Sequence, residues 1–385
     1  MLSKTWLSFF TNHLTPTVFT MKKTRAMVLT GPRKLEIQEF DLPEVGEEDG
    51  ILKLELIGVC GSDPGIYKGK TRGAPRPYPI ILGHEIVGRV EKMGLSAQRR
   101  HGVKEGDRVI IEYAFGCGKC RACLAGRYTL CEKFYTYGSM ISCQEPPHLF
   151  GAYADYLYIH PRAMVHKIGE NISPEVGVLI GAVLGNAVRW LRITGNVSIG
   201  QTVVIVGPGQ QGLAGVMVAK ESGAEPIIVI GLSKDKKRLE MARRFGADSV
   251  INAEDEDPAK VISDETNGTM ADLVMDVTGH PSGASMALAL AGTGATIILP
   301  GLYGPNTEVP LLLDKAVLKE LKLLGVFSHD FPAVDAAIKI ASRGKYPLSE
   351  MISHRFPLEK AEDAIRLVGG EVEGETPLKV VLDPA

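Results

Sequence analysis

Hydrophobic positions follow two different patterns along this chain, and the change comes near residue 200. From 24 to 59 the apolar runs are short and alternate with polar residues, as in Lys53-Leu54-Glu55-Leu56, with Gly31-Pro32, Pro43 and Gly46 as punctuation. Period-two alternation between turn residues predicts β-strands with one buried face. A Pro- and Gly-laden connection over 64–79 leads into apolar Ile80-Ile81-Leu82, and Gly106-Asp107-Arg108 is a turn feeding the buried strand Val109-Ile110-Ile111. After 202 the pattern alternates: strand 202–206, helix 213–222, strand 227–230, helix 236–245, strands 249–251 and 273–277, helix 282–290, strand 295–299. That order predicts a doubly wound parallel sheet, so the fold class is α/β, a β-rich domain followed by a doubly wound one. The longest apolar run, 176–188, is Gly-rich and stops at Arg189, short of the ~20 residues a bilayer span needs.

Composition narrows the function more than the fold. With 385 residues, 45% of them hydrophobic, the chain is long enough for two cores. A formal net charge of −2 gives no basic field for nucleic acid or an anionic membrane, which leaves a small-molecule substrate as the expected partner. Residues 1–20 contain no acidic residue, and Met21-Lys22-Lys23 resembles a second start; this extension is expected to lie outside the fold, as a presequence or a misassigned start.

Of six cysteines, four stand together at Cys117, Cys120, Cys123 and Cys131, apart from Cys60 and Cys143. The spacing C-x2-C-x2-C-x7-C is that of thiolates sharing a tetrahedral metal, most simply a structural zinc, and clustering of this kind argues against a disulfide framework. A reducing compartment, the cytoplasm, is the corresponding expectation.

A second set of chemistry-bearing residues lies upstream. Cys60-Gly61-Ser62-Asp63 closes a strand and puts a soft ligand, a hydroxyl and a carboxylate side by side; alone it reads equally as a turn with a buried cysteine. Gly83-His84-Glu85 adds an imidazole and a second carboxylate, so a Cys60/His84/Glu85 metal set becomes the better reading than a satisfied core histidine.

In the second half, Gly207-Pro208-Gly209-Gln210-Gln211-Gly212 falls between a strand and a helix, the context in which glycines let the backbone approach a pyrophosphate at a helix N-terminus. After the next strand, where NAD sites carry a carboxylate for the ribose, stands Gly231. With Ser233, Lys234 and Arg238 nearby, a 2′-phosphate meets no repulsion and three candidate partners, so NADP is favoured modestly over NAD.

Taken together these residues resemble the zinc-dependent medium-chain alcohol dehydrogenases, over everything from Met21 onward. The resemblance rests on Cys60-Gly61-Ser62-Asp63, Gly83-His84-Glu85, Gly106-Asp107-Arg108-Val109, the four-cysteine block, the glycine turn and Lys379-Val380-Val381-Leu382. It implies a GroES-like catalytic domain over 21–181, completed by 322–385, with a Rossmann domain over 182–321 inserted between, and homodimers or homotetramers built by pairing Rossmann domains. It further implies Cys60 and His84 as catalytic zinc ligands, Glu85 as a carboxylate able to enter the metal shell, Ser62 as acceptor of the alcohol proton, Asp63 as the group that orients His84, and Lys379 as a pyrophosphate contact.

Two positions depart from the family's pattern. Ala182 stands where a third metal ligand is usual, and Gly65 where many relatives place a proton-relaying histidine. A Cys60/His84/Glu85 site completed by water is the simplest repair, and Asp155 or His329 are other conceivable ligands. Tyr67, Tyr113, Phe115 and His329 are candidate pocket-lining residues. Alcohol or polyol oxidation, with ketone or aldehyde reduction in reverse, is the leading expectation. A zinc-free enoyl or quinone reductase of the same fold and a non-catalytic dinucleotide-binding protein are the alternatives.

Overall fold

The computed structural model describes residues 23–70, 75–304 and 306–384; the extension 1–20 lies outside them. Two sheets with different grammars organise the chain, as the hydrophobic pattern predicts. The first follows the spatial order Val165–Lys167, Arg108–Ile111, Glu85–Met93, Gly50–Val59, Lys379–Asp383, Ile352–Pro357, with Tyr156–Ile159 also paired to Gly50–Val59. Gly50–Val59 is its spine: Leu52, Leu54, Leu56, Ile57 and Val59 are all buried, far more than one alternating face would give. The reason is that both faces are covered, one by the core that includes Leu52 and Ile57, the other by the core that takes Leu56.

The second sheet is six-stranded in the order Ser249–Asn252, Ile227–Gly231, Val203–Val206, Ala271–Asp276, Ala291–Leu299, Lys322–Gly325, with every pair parallel. This is the strand order of a dinucleotide-binding Rossmann sheet, with its topological switch point at the central strand Val203–Val206. Val203, Val204 and Ile205 have no exposed surface, since helices cover both faces of a parallel sheet. Several helices escape simple pattern reading, and two of them show why. Pro258–Glu265 is set by its ends, with Pro258 in the first turn and the Asp257 side chain accepting from Ala259 N at 2.9 Å.

The Gly-rich run 176–188 belongs to the other, a bent helical segment from Pro174 to Thr194 between the two sheets. Its apolar residues, among them Leu179, Val183, Leu184 and Leu191, are absorbed into the core shared with the Rossmann sheet. Among the described residues no single helix is long and apolar enough to cross a membrane.

The sheets amend the expected division of the chain. Lys322–Gly325 pairs with Ala291–Leu299 as the outer strand of the second sheet, so that sheet runs past residue 321. The return to the first sheet comes with Ile352–Pro357 and Lys379–Asp383, the latter antiparallel to Gly50–Val59 through Val380 opposite Val59 and Val381 opposite Gly58.

Candidate active site and cofactor cleft

The strand Gly50–Val59 delivers Cys60 at its end, and the short helix Asp63–Tyr67 follows at once. The carboxylate of Asp63 is fully buried; its Oδ2 accepts from Cys60 N at 2.8 Å and from the Tyr153 hydroxyl at 3.0 Å, which locks the turn. Its Oδ1 lies 3.4 Å from Nδ1 of His84, an ion-pair contact that orients the ring with Nε2 toward Ser62. Nε2 lies 3.5 Å from the Ser62 hydroxyl, and the Cys60 thiol is close enough to the same ring to favour its charged form. Cys60, Ser62, Asp63 and His84 are thus brought together as the sequence predicts.

Burial works against a charge on His84, but Asp63, Cys60 and Glu85 around it outweigh that cost and lift its pKa to about 10. Burial of Asp63 pushes its own carboxyl up, and the neighbouring His84 opposes the rise. Two carboxylates and a thiol around this imidazole, with one buried ammonium, that of Lys379, against them, give the pocket electrostatics that favour a further cation.

Glu85 departs from the expected arrangement. Its Oε2 is paired with the ammonium of Lys379, both side chains wholly buried, and that ammonium also donates to the Val59 carbonyl. Two consequences follow. Lys379 is spent beneath the metal side of the cleft and does not project to a pyrophosphate. Glu85 is drawn away from Cys60 and His84, and its Oε1 is buried with no partner. Among the described residues, the one group of three or more His, Cys, Asp or Glu with ligand atoms all within 4.8 Å of one another is Cys117, Cys120, Cys123 and Cys131.

That four-sulfur cluster fits a tetrahedral zinc in donor chemistry and grouping. Backbone N–H groups of Cys117 and Lys133 already point at Cys131 Sγ, at 3.2 and 3.3 Å. N–H groups of Lys119 and Cys120 draw the Cys117 thiol down to about 6, whereas burial pushes Cys123 up to about 12. At the upstream site Cys60 and His84 also fit a zinc, with Glu85 Oε1 as a free acceptor behind them. Ala182 supplies no third ligand, and Asp155 is engaged by Arg25 at 3.1 and 3.2 Å.

Of the candidate lining residues, Tyr67 donates to Glu362 and Phe115 stacks on His160, both packed away in the first domain. Tyr113 and His329 are placed at the site: the Tyr113 ring lies 5.5 Å from the His84 ring and 5.5 Å from that of His329. Tyr153 and Asn186 were missed by sequence reasoning, because neither sits in a motif and both act only through partners far along the chain. An added Cβ at Gly65 would meet nothing within 4 Å, so the space beside this glycine is open.

The glycine turn is formed as expected. Gly207 has φ 106°, and a Cβ on Gly212 would stand 2.0 Å from the Gly207 carbonyl oxygen, so these positions exclude side chains. Gly209 caps the helix Gln210–Glu221 with no side-chain hydrogen bond, which leaves the first-turn N–H groups for an anion such as a pyrophosphate. Gln210 and Gln211 begin that helix, but Gln211 Nε2 donates to the Ala182 carbonyl at 2.7 Å; it tethers the turn to the bent helix instead of facing cofactor.

The end of the next strand revises the case for a 2′-phosphate. A Cβ at Gly231 would lie 2.9 Å from Pro208 Cγ, so Pro208 of the turn occupies the space in which a ribose-binding side chain would begin. Ser233 N donates to Glu254 Oε2 at 2.7 Å, Ser233 Oγ accepts from Asn252, and Arg238 is bonded to Asp235 and to the Pro377 carbonyl. Of the three residues expected to meet the phosphate, only Lys234 keeps that role open, and the carboxylate of Glu254 stands beside it.

This two-domain fold, with a dinucleotide-type glycine turn in one sheet and a Cys/His/Ser/Asp cluster in the other, is the architecture of a dehydrogenase, and comparison with known proteins agrees. The alcohol dehydrogenase GroES-like domain matches residues 46–170 and the zinc-binding dehydrogenase domain residues 212–343. A probable alcohol dehydrogenase of Mycobacterium tuberculosis is 35% identical over 366 residues, covering 94% of this chain and 98% of that protein. An erythritol/L-threitol dehydrogenase of Mycolicibacterium smegmatis is 31% identical, with the same shares covered. An alcohol dehydrogenase of Thermotoga maritima of known structure superposes with a TM-score of 0.86 at 31% identity, over 94% of this chain and all of that one. The chain belongs to the zinc-type medium-chain alcohol dehydrogenase family.

Proposed function

We propose that the protein is a zinc-dependent dehydrogenase that moves a hydride between an alcohol or polyol and a nicotinamide dinucleotide, and reduces the ketone or aldehyde in reverse. The observation that carries this reading is the single cluster in which His84, fixed by Asp63, faces both Cys60 and Ser62. Cys60 and His84 would hold the metal. When bound, zinc supplies Lewis acidity, lowering the pKa of an alcohol so that hydride can leave. Ser62 accepts the alcohol proton, Asp63 orients His84, and the helix from Gln210 holds the pyrophosphate. The cysteine cluster binds a second, structural zinc.

We further propose a cytoplasmic protein that forms homodimers or homotetramers through the open edge of the Rossmann sheet. Supporting the latter, Leu312, Leu313, Val317 and Leu318, just before the edge strand Lys322–Gly325, are each more than half exposed. The cofactor is NADP or NAD, with the 2′-phosphate site resting on Lys234 alone.

The test is an assay of secondary alcohols and polyols with both cofactors, together with zinc analysis. Two zincs per chain are expected, and Cys60→Ala should lose one of them and at least ~100-fold in turnover, since the hydride donor is no longer activated. One zinc per chain with turnover unchanged in Cys60→Ala would move the protein to the zinc-free reductases of this fold.

A further inference from the structure

We infer that His329 Nε2 accepts a hydrogen bond from a second hydroxyl of the substrate, so that this residue selects polyhydroxy alcohols over alcohols with one hydroxyl. The inference rests on the alcohol dehydrogenase reading above and adds a specificity-determining group to it.

The protonation of His329 follows from a short chain of hydrogen bonds. Asn186 Nδ2 lies 2.6 Å from the Ala182 carbonyl oxygen, which can only accept, so the amide NH2 of Asn186 points there. Its Oδ1 therefore faces Nδ1 of His329, 3.0 Å away, and being an acceptor it requires the proton on Nδ1. Burial pushes the imidazole pKa down, which keeps the ring neutral. Nε2 is then a bare lone pair. It is buried and has no hydrogen-bond partner, in a side chain only 2% exposed. Native structures seldom leave such an atom unmatched without a functional reason.

The surroundings say what kind of partner it awaits. Nε2 faces Gly181, where a Cβ would stand 4.0 Å from it and meet nothing else within that distance. Gly181 and Ala182 thus leave a notch in front of the lone pair, at the point where relatives project a metal ligand. The Tyr113 ring separates this notch from His84, 5.5 Å from each imidazole. With the reacting hydroxyl at Ser62 and His84, a substrate lying along the Tyr113 ring would meet the notch with a hydroxyl further along its carbon chain. The partner must be a donor, which a hydroxyl is and an alkyl group is not. The Asn186–His329 contact does not gather His329 into a metal group with Cys60 and His84, and no such role is assigned to it.

The experiment compares kcat/KM for a four-carbon tetrol, 2,3-butanediol and 2-butanol in the zinc-loaded enzyme. The parent should prefer the polyhydroxy substrates. His329→Phe keeps a planar ring without the acceptor and should lower the tetrol-to-2-butanol ratio by ~10-fold or more, the direction set by loss of a built hydrogen bond. Gly181→Ser guards against misfolding of the first variant. Its hydroxyl can donate to Nε2 and fill the notch, and it should raise Tm by about 2–4 °C while lowering the same ratio. No preference in the parent, or ratios unchanged within about 2-fold in both variants, overturns the inference, even if Gly181→Ser gains stability. Absence of turnover with every alcohol and both cofactors would instead overturn the functional reading beneath it, while the Tm of Gly181→Ser still reports whether Nε2 lacks a partner.

Discussion

Glu254 shows how a single side chain can reopen a question that local sequence had answered the other way. Gly231 leaves no carboxylate at the end of its strand, yet Glu254 reaches the same region from the following strand's loop and accepts the Ser233 N–H at 2.7 Å. Hydrogen bonds from Ser233 hold its carboxyl below the usual range, so it is an anion at neutral pH and repels a second anion nearby. Glu254→Gln should therefore tighten NADPH relative to NADH by about 5-fold or more, read as the ratio of Kd values by nucleotide fluorescence, because a like-charge contact disappears. An unchanged ratio would remove Glu254 from the ribose site. No sequence pattern announces this residue, since it lies 21 positions from Ser233 and the intervening turn decides where it points.

At the scale of elements, the segment from Cys117 to Cys131 is held more by sulfur than by apolar packing. Its helix Arg121–Leu124 buries no residue, and Leu124 and Leu130 are exposed. Four thiols within 4.8 Å of one another need a metal to stay together, and Gly116 lets the chain pass close beneath them: a Cβ there would lie 2.5 Å from Cys123 Sγ. Gly116→Ala should loosen the cluster. Zinc release to a chelator is expected to speed up at least ~3-fold, and trypsin should cut at Arg121 and Arg127 earlier than in the parent, as a lobe without its metal unfolds. Equal zinc retention and equal cleavage would show that the loop absorbs the methyl group. This element was fully legible in the sequence because thiolate spacing maps directly onto tetrahedral geometry, with no help from distant contacts.

For the molecule as a whole, legibility followed the range of the interactions. The Rossmann half could be read strand by strand, since hydrophobic runs such as Val203-Val204-Ile205-Val206 and the glycines after them carry local signals. The upstream cluster was readable as membership: Cys60, Ser62, Asp63 and His84 are brought together as expected. What the sequence could not show was the commitment of individual groups. Lys379 resembled a cofactor contact until the sheet put it across Val59 from Glu85, 294 residues earlier. Removing that ammonium strands a buried carboxylate, so Lys379→Ala should cost about 3–5 kcal/mol in urea unfolding, and pairing it with Glu85→Gln should recover much of the loss. A double variant no more stable than the single would mean that packing around Lys379, not its charge, is what matters.

The pairing of Val380 with Val59 has a bearing on how the chain is made. The last residues of the strand that leads to Cys60 obtain one of their neighbours from a segment some 320 residues further on, which also brings Glu85 its counter-charge across 294 residues. On a ribosome the inserted nucleotide-binding unit has all its strands in hand while the spine of the first sheet still has an open side. Closure of so long a loop is slow, and it comes last. The end of the spine strand, with Cys60 just beyond it, is therefore completed only after the inserted unit has been made, and until then Ile57, Gly58 and Val59 stand as an unpaired apolar edge.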